Sequence, residues 1–226
     1  METDLSCAET EWYLPVHAKR KVTLVSESAS TLGTPIAGSA RERIVGAAYE
    51  LFSRHGTETV GINAVIEHAG VAKRTLYRHF RSKDELVVEF LRVREERWTK
   101  SWLQDEVERR AIAPDERLLA IFDVFHDWFQ REDMEGCSFI NVLLEVDDRT
   151  SPVRHATVEH LAAIREFLAT LATEAGIEDS EAFARRWHIL MKGSIVSAQE
   201  GDLEAARREQ EVGRVLLERE RSGLLE

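Results

Sequence analysis

The sequence predicts an all-α protein. It has a three-helix unit ending in a helix-turn-helix, residues 39–86, fused to a larger helical region, residues 87–226, behind a flexible arm over residues 1–38. Three observations carry this reading. From residue 40 almost to the end, apolar residues recur at three- and four-residue intervals and nothing alternates with the two-residue period of a strand. Only 12 Gly and 4 Pro punctuate 226 residues, too few for many short strands and turns. Helix start and stop signals also fall at the edges of the periodic segments. A hydrophobic fraction of 43% beside 31% charged residues fits a sizeable core and excludes collagen-like and wholly disordered chains.

The arm is rich in Ser and Thr and is interrupted by Pro15, Gly33, Pro35 and Gly38. Within it, Lys19-Arg20-Lys21 reads either as a solvated charge run or as a contact for a polyanion, and Val22 to Val25 is a strand-like run with nothing to pair with. The first helix starts at Ser39, with Glu42 three residues on completing a capping box. Its apolar stripe is Ile44, Ala47, Ala48, Leu51 and Phe52, and Gly56 stops it. Ile62, Val65, Ile66 and Ala69 make a short second helix, Gly70 permits a left-handed turn, and Val71, Leu76 and Phe80 anchor a third. Helices this short are marginal alone and need the first to pack against. Leu86, Phe90, Val93 and Trp98 begin a long helix, and Pro114 suits the first turn of the next, which runs through Leu118, Phe122, Phe125 and Phe129. A shorter apolar segment spans Phe139 to Val146. After a loop ending in Ser151-Pro152 come two stripes, Leu161, Ile164, Leu168 and Leu171, then Phe183, Trp187, Leu190 and Ser194, with Gly176 and Gly201 marking ends. A highly charged helix from about Leu203 to Glu220 completes the pattern.

The net charge of −11 argues on its own against a nucleic-acid partner, but it is an average. Residues 40–90 hold eight basic and seven acidic residues, so the rest of the chain carries −12. From Val71 to Lys83 there are five basic residues and no acidic one. On that third helix Lys73 and Arg74 fall in the first turn, where a recognition helix meets major-groove base edges. Arg78 adds to the basic run, and Thr75, Tyr77 and His79 bring groups that hydrogen-bond phosphates. Lys83 stands at the next helix start, where the dipole favours an anion. Leu76 and Phe80, four residues apart, point the other way into the core.

Ala69-Gly70-Val71, Thr75-Leu76-Tyr77-Arg78-His79-Phe80 and Ser82-Lys83-Asp84-Glu85-Leu86 together resemble the DNA-binding domain of TetR-type transcriptional regulators, and the pattern holds in order and spacing from Ala40 to Leu86. The resemblance implies base-reading positions at Lys73, Arg74 and Thr75, phosphate contacts at Tyr77 and Lys83, and a second-helix contact at Asn63. Two positions depart from the family pattern. Gly61 stands where Thr or Ser is usual and Ala72 where Ser is usual, residues that would supply a cap and a phosphate contact. Gly136-Cys137-Ser138-Phe139-Ile140-Asn141, with Glu145 soon after, is similar to a segment of some of the family's regulatory domains.

What the resemblance implies is a cytoplasmic homodimeric regulator, a repressor on a palindromic operator of double-stranded DNA, released by a small-molecule effector. The dimer would be built on helices around Phe183 to Ala198 and Leu203 to Leu217. Neither a cofactor nor a metal is expected, nor an enzymatic activity. The polar residues interrupting apolar stripes, His126, Asn141 and Glu145, are the ligand-pocket candidates. His126, His155, His160 and His188 read as surface or pocket histidines, because the single Asp-x-x-His at Asp123 and His126 falls short of a di-metal bundle. Cys137 reads as a packing thiol, and with Cys7 it makes neither a disulfide framework nor a zinc cluster. The N-terminus lacks a signal-peptide pattern and no run reaches the roughly 18 apolar residues of a membrane span. Two rival readings remain, a helical-bundle metalloenzyme and an acidic helical adaptor for protein partners.

Overall fold

The structure, a computed structural model, describes residues 38–221. The arm before Gly38, with its Lys19-Arg20-Lys21 cluster, the Val22 to Val25 run and Cys7, lies outside the described residues, as do residues 222–226.

The reading unit forms as its local signals direct. Helix α1 (Ala40–His55) opens on a capping box in which Ser39 Oγ accepts from the Glu42 amide and Glu42 accepts from the Ser39 amide at 2.7 Å. It closes at Gly56, whose amide donates to the Phe52 carbonyl. Helices α2 (Ile62–His68) and α3 (Lys73–His79) are joined through Gly70, whose φ of 60° is the left-handed conformation this turn needs. Neither Gly61 nor Ala72 offers a side-chain cap, so both helices begin on backbone bonds alone. They are held instead by burial: Ile44, Ala48, Val65 and Leu76 are fully enclosed, and Phe52 and Phe80 nearly so.

Helix α4 (Lys83–Arg94) is capped by Ser82, which accepts from the Glu85 amide at 3.1 Å. It packs on α1 along one side and on α8 along another, so this one helix joins the three-helix unit to the bundle. The long helix expected from Leu86 onward is continuous, but its middle, Glu95–Gln104, winds as a π-helix before α5 (Asp105–Arg110). The hydroxyl of Ser101 donates to the Glu96 carbonyl five residues back. The wider turn sets the indoles of Trp98 and Trp102 5.3 Å apart, with Trp128 at 5.2 and 6.2 Å. Periodicity counting does not resolve such a change of winding.

The remaining helices are α6 (Pro114–Phe129), α7 (Ser138–Glu145), α8 (Pro152–Glu174), α9 (Ser180–Gln199) and α10 (Ala205–Arg221). Pro114 and Pro152 stand in the first turns of α6 and α8, and Ser151 accepts from the Val153 amide. The last helix starts at Ala205 rather than Leu203, because the Asp202 carboxylate binds the Glu204 amide and holds Leu203 in a turn. Helices α6, α8, α9 and α10 bundle around Phe122, Phe125, Phe183 and Trp187, and one apolar core runs without a break from Ile44 to Leu217. Among the described residues no helix is long and apolar enough to cross a membrane.

Candidate nucleic-acid interface and ligand cavity

Helix α3 divides into two faces. Leu76 and Phe80 are buried, and the Arg41 guanidinium covers the Phe80 ring at 5.4 Å while pairing with Glu89 of α4 at 2.9 Å. The opposite face exposes Lys73, Arg74, Tyr77 and Arg78, with Thr75, His79 and Lys83 half-buried at its margin and Asn63 exposed on α2. The ammonium of Lys73 lies 6.0 Å from the Tyr77 ring centroid, a loose cation–π contact that leaves its charge outward. Among the described residues, none of Lys73, Arg74, Arg78, Arg81 or Lys83 is ion-paired through its side chain, although Glu67, Asp84 and Glu85 are close in sequence. The Glu85 carboxylate is instead committed to the Arg81 backbone amide at 2.6 Å. This face is therefore a set of cations with open valence for phosphates and base edges.

Besides the Arg41–Glu89 and Arg54–Glu135 ion pairs, two buried or half-buried hydrogen-bonded ties join this unit to the larger region. At the end of α7, one Glu145 oxygen accepts from the Thr57 amide at 2.9 Å, the Thr57 hydroxyl at 2.5 Å and the Glu58 amide at 3.2 Å. Gly56 makes room for it: its φ is 78°, and a Cβ there would sit 2.4 Å from the other Glu145 oxygen. The second tie is Arg94 of α4, buried to 7% exposure, which donates to the Tyr49 and Ser53 hydroxyls and pairs with Glu135 at 3.5 Å. Both were outside the reach of sequence patterning, since each partner lies more than 40 residues away.

Inside the larger region a narrow cavity lies between the π segment, α6, the start of α7, α8 and α9. Trp98, Phe125, Ile140, Ile164 and Met191 wall it, and its free space of about 10 Å³ is room for one water. Its polar lining is Cys137, His188 and Lys192. His188 is 3% exposed and its Nδ1 has no hydrogen-bond partner. Burial first, then the charges of Lys192 and Arg165, push its pKa down to about 3, so the ring is neutral at physiological pH. Burial and Arg165 likewise lower the pKa of Lys192, and burial raises that of the Cys137 thiol. On the other side of Trp98 an open cleft of about 280 Å³ is lined by Tyr49, Trp102, Trp128 and three arginines, Arg94, Arg97 and Arg131.

The three pocket residues expected from the sequence do not converge on the cavity. His126 is half-buried on α6 with an unpartnered Nδ1, Asn141 is half-buried in the first turn of α7, and Glu145 is the tie to Thr57. The cavity's own polar residues are His188 and Lys192, four apart on α9 among Trp187, Met191 and Ile195. That spacing of polar groups within an apolar stripe is the signal that would have found them. Of the other histidines, His160 pairs with Glu95 and lies against Phe139, and His155 is exposed. Among the described residues no three His, Cys, Asp or Glu side chains gather as a metal site.

Residues 44–90 match the family described as bacterial regulatory proteins, tetR family, and residues 114–209 match the tetracyclin repressor-like C-terminal domain. Among curated proteins the chain is similar to the transcriptional regulator QacR of Staphylococcus aureus, 28% identical over 67 residues, which are 30% of this chain and 36% of that one. It is also similar to the transcriptional repressor KstR of Mycobacterium tuberculosis, 40% identical over 77 residues, 34% of each chain. The matched stretch is thus about a third of the length of these relatives. Among solved structures, a TetR-family transcriptional regulator from Streptomyces coelicolor superposes with a TM-score of 0.71 at 26% identity, covering 79% of this chain and 94% of that one. The two family matches together span more than half of the sequence, one over the reading unit and one over the helical bundle, and the chain belongs to the TetR family of bacterial regulatory proteins.

Proposed function

We propose that the protein is a homodimeric, sequence-specific DNA-binding repressor, acting in the cytoplasm and released from its operator by a small molecule that occupies the cavity behind Trp98. The observation that carries this reading is the unpaired basic face of α3. Lys73, Arg74 and Thr75 at its first turn are placed to read base edges. Tyr77, Arg78, His79 and Lys83, with Asn63 from α2, are placed to contact the backbone and fix the register. A dimer face is supplied by α9 and α10, which leave Ile189, Val196, Val212 and Val215 exposed by 43% to 66%. Pairing through these helices sets two α3 helices on half-sites about 34–36 Å apart.

Release follows from linkage. A ligand that binds one arrangement better shifts the population by its difference in affinity for the two. Helix α7 is the element placed to carry the change, because Cys137 and Ile140 at its start line the cavity and Glu145 at its end holds the α1–α2 loop. A ligand too large for the present cavity moves the start of α7, and the tie at Thr57 moves with it.

Fluorescence anisotropy on the DNA upstream of the protein's own gene tests the reading. Replacing Tyr77 and Lys83 with Ala weakens binding to all duplexes and flattens the salt dependence, by about one unit of slope for the lysine. Replacing Lys73 or Arg74 instead changes which sequence is preferred. Undiminished duplex affinity in the Tyr77/Lys83 variant overturns the assignment.

A further inference from the structure

Three features of the cavity remain unexplained by packing. Lys192 projects from α9 into its lining with no carboxylate within 4 Å among the described residues. Arg165 of α8 is near enough to act on both Lys192 and His188, and it too has no carboxylate partner, only a 3.0 Å bond to the Leu161 carbonyl of its own helix. The His188 ring is almost wholly enclosed with one nitrogen unsatisfied. One ammonium and an orphaned imidazole thus line a largely apolar space, with the Arg165 guanidinium near enough to act on both. Some arginines of the bundle are matched with acids, as in Arg110 with Asp127 and Arg208 with Asp202, while Arg117 and Arg154, like Arg165, bond to backbone carbonyls. Leaving cations half-desolvated and unpaired is costly, and an anion from solution removes the cost.

We infer that the effector is an organic monoanion, a carboxylate on an apolar aromatic or acyl body, with the carboxylate paired to the Lys192 ammonium and hydrogen-bonded by His188 and the body lying against Trp98, Phe125 and Met191. This rests on the reading of the cavity as the effector site. A single ammonium in the lining matches one negative charge. A neutral imidazole contributes an N–H donor without adding a second charge, which fits a His188 held deprotonated by burial and by its cationic neighbours. The cavity as it stands holds about one water, so the body enters by displacing the flexible Met191 and the start of α7.

The test uses the full-length protein and two matched probe sets: 4-phenylbutyrate, 4-phenylbutanol and 4-phenylbutylamine, and octanoate, octanol and octylamine. Binding is read by calorimetry and by quenching of tryptophan fluorescence, and release is read separately on the operator complex. Each carboxylate is expected to bind about 10–100-fold more tightly than its alcohol, and each amine more weakly still. Lys192→Met and, independently, Lys192→Gln erase the preference for the acid, with folding checked by thermal melting. The inference is overturned if acid and alcohol bind alike, if the amine binds best, if neither acid binds at millimolar concentration, or if the preference survives both substitutions. An alcohol or amine that releases the operator at a concentration equal to or below that of its matched acid sinks the carboxylate assignment alone. Acids that bind through Lys192 yet leave the operator complex intact sink the release mechanism and keep the ligand class.

Discussion

The recognition face of α3 and the surface of the helical bundle carry the same residue types and treat them in opposite ways. On the bundle, Arg109 sits on Glu106 at 2.6 Å, Arg131 on Asp133 at 2.7 Å and Arg208 on Asp202 at 2.6 Å, each a bidentate or nearly bidentate contact. On α3 and its exit to α4, five basic side chains, Lys73, Arg74, Arg78, Arg81 and Lys83, stand without one such partner among the described residues. Net charge therefore says little about the partner of this protein, and unpaired charge says a great deal. Inside the bundle the same criterion includes Lys192, which lines the cavity without a carboxylate partner among the described residues.

The largest expected effect tests that criterion directly. Replacing Lys73, Arg74 and Arg78 together with Gln lowers operator affinity by at least about 100-fold, since one good base contact alone is worth about 1–3 kcal/mol. Replacing Arg109, Arg131 and Arg208 with Gln changes net charge by the same amount and is expected to shift affinity by less than about 3-fold, because exposed paired charges contribute about 0–1 kcal/mol. Equal losses in the two triple variants, measured in one buffer, break the comparison and return the argument to net charge.

The contrast also explains what was legible in the sequence. The reading face is built from consecutive residues on one short helix, and its supports are local: the Ser39–Glu42 box, the stop at Gly56, the turn at Gly70 and the Ser82 cap each depend on neighbours within four residues. The cavity is assembled from five elements, so no local pattern marks it as a whole. Glu145 interrupts an apolar stripe as a pocket residue does, but its partner is Thr57, 88 residues away, and only the fold reveals that. His188, read as a surface or pocket histidine, and Lys192 carry one local mark, their four-residue spacing within an apolar stripe, and it does not by itself show burial. A histidine and a lysine on a long helix ordinarily face water, and burial of this face follows from where α8 and the π segment pack.

A smaller effect sharpens the account of the cavity. The folded pKa of His188, about 3, lies below its ordinary value of 6.5, so the unfolded chain takes up this proton first. The contribution is fully present above pH 6.5 and is lost as pH falls toward 3. Between pH 7 and pH 5 this one ring removes about 2 kcal/mol of stability. Urea denaturation at the two pH values should show a drop that is smaller by about that amount in His188→Gln. An unchanged pH dependence in that variant means that the ring is protonated or solvated in the folded state, and the neutral donor beside Lys192 is lost with it.

The smallest effect bears on how the two regions communicate, and its sign is more informative than its size. Glu145→Ala leaves the Thr57 and Glu58 amides without their acceptor, a loss of about 1–3 kcal/mol in stability for the buried group. Two consequences for DNA binding then oppose each other. Removing a carboxylate from the same chain as a polyanion-binding face favours DNA, by a factor that screening over a Debye length of about 8 Å keeps small. Releasing the α1–α2 loop disfavours DNA, because α2 and α3 lose the tie that sets their position against the bundle. If Glu145 works as the tie, affinity falls by about 3–10-fold despite the favourable charge change, which corresponds to about 0.6–1.4 kcal/mol of lost preorganisation. Glu145→Gln separates the two further, since the amide oxygen still accepts from Thr57 while the charge is gone. Affinity that falls in the Ala variant and is restored in the Gln variant assigns the effect to the hydrogen bonds. Affinity that rises in both assigns it to charge alone and removes α7 from the route between cavity and operator.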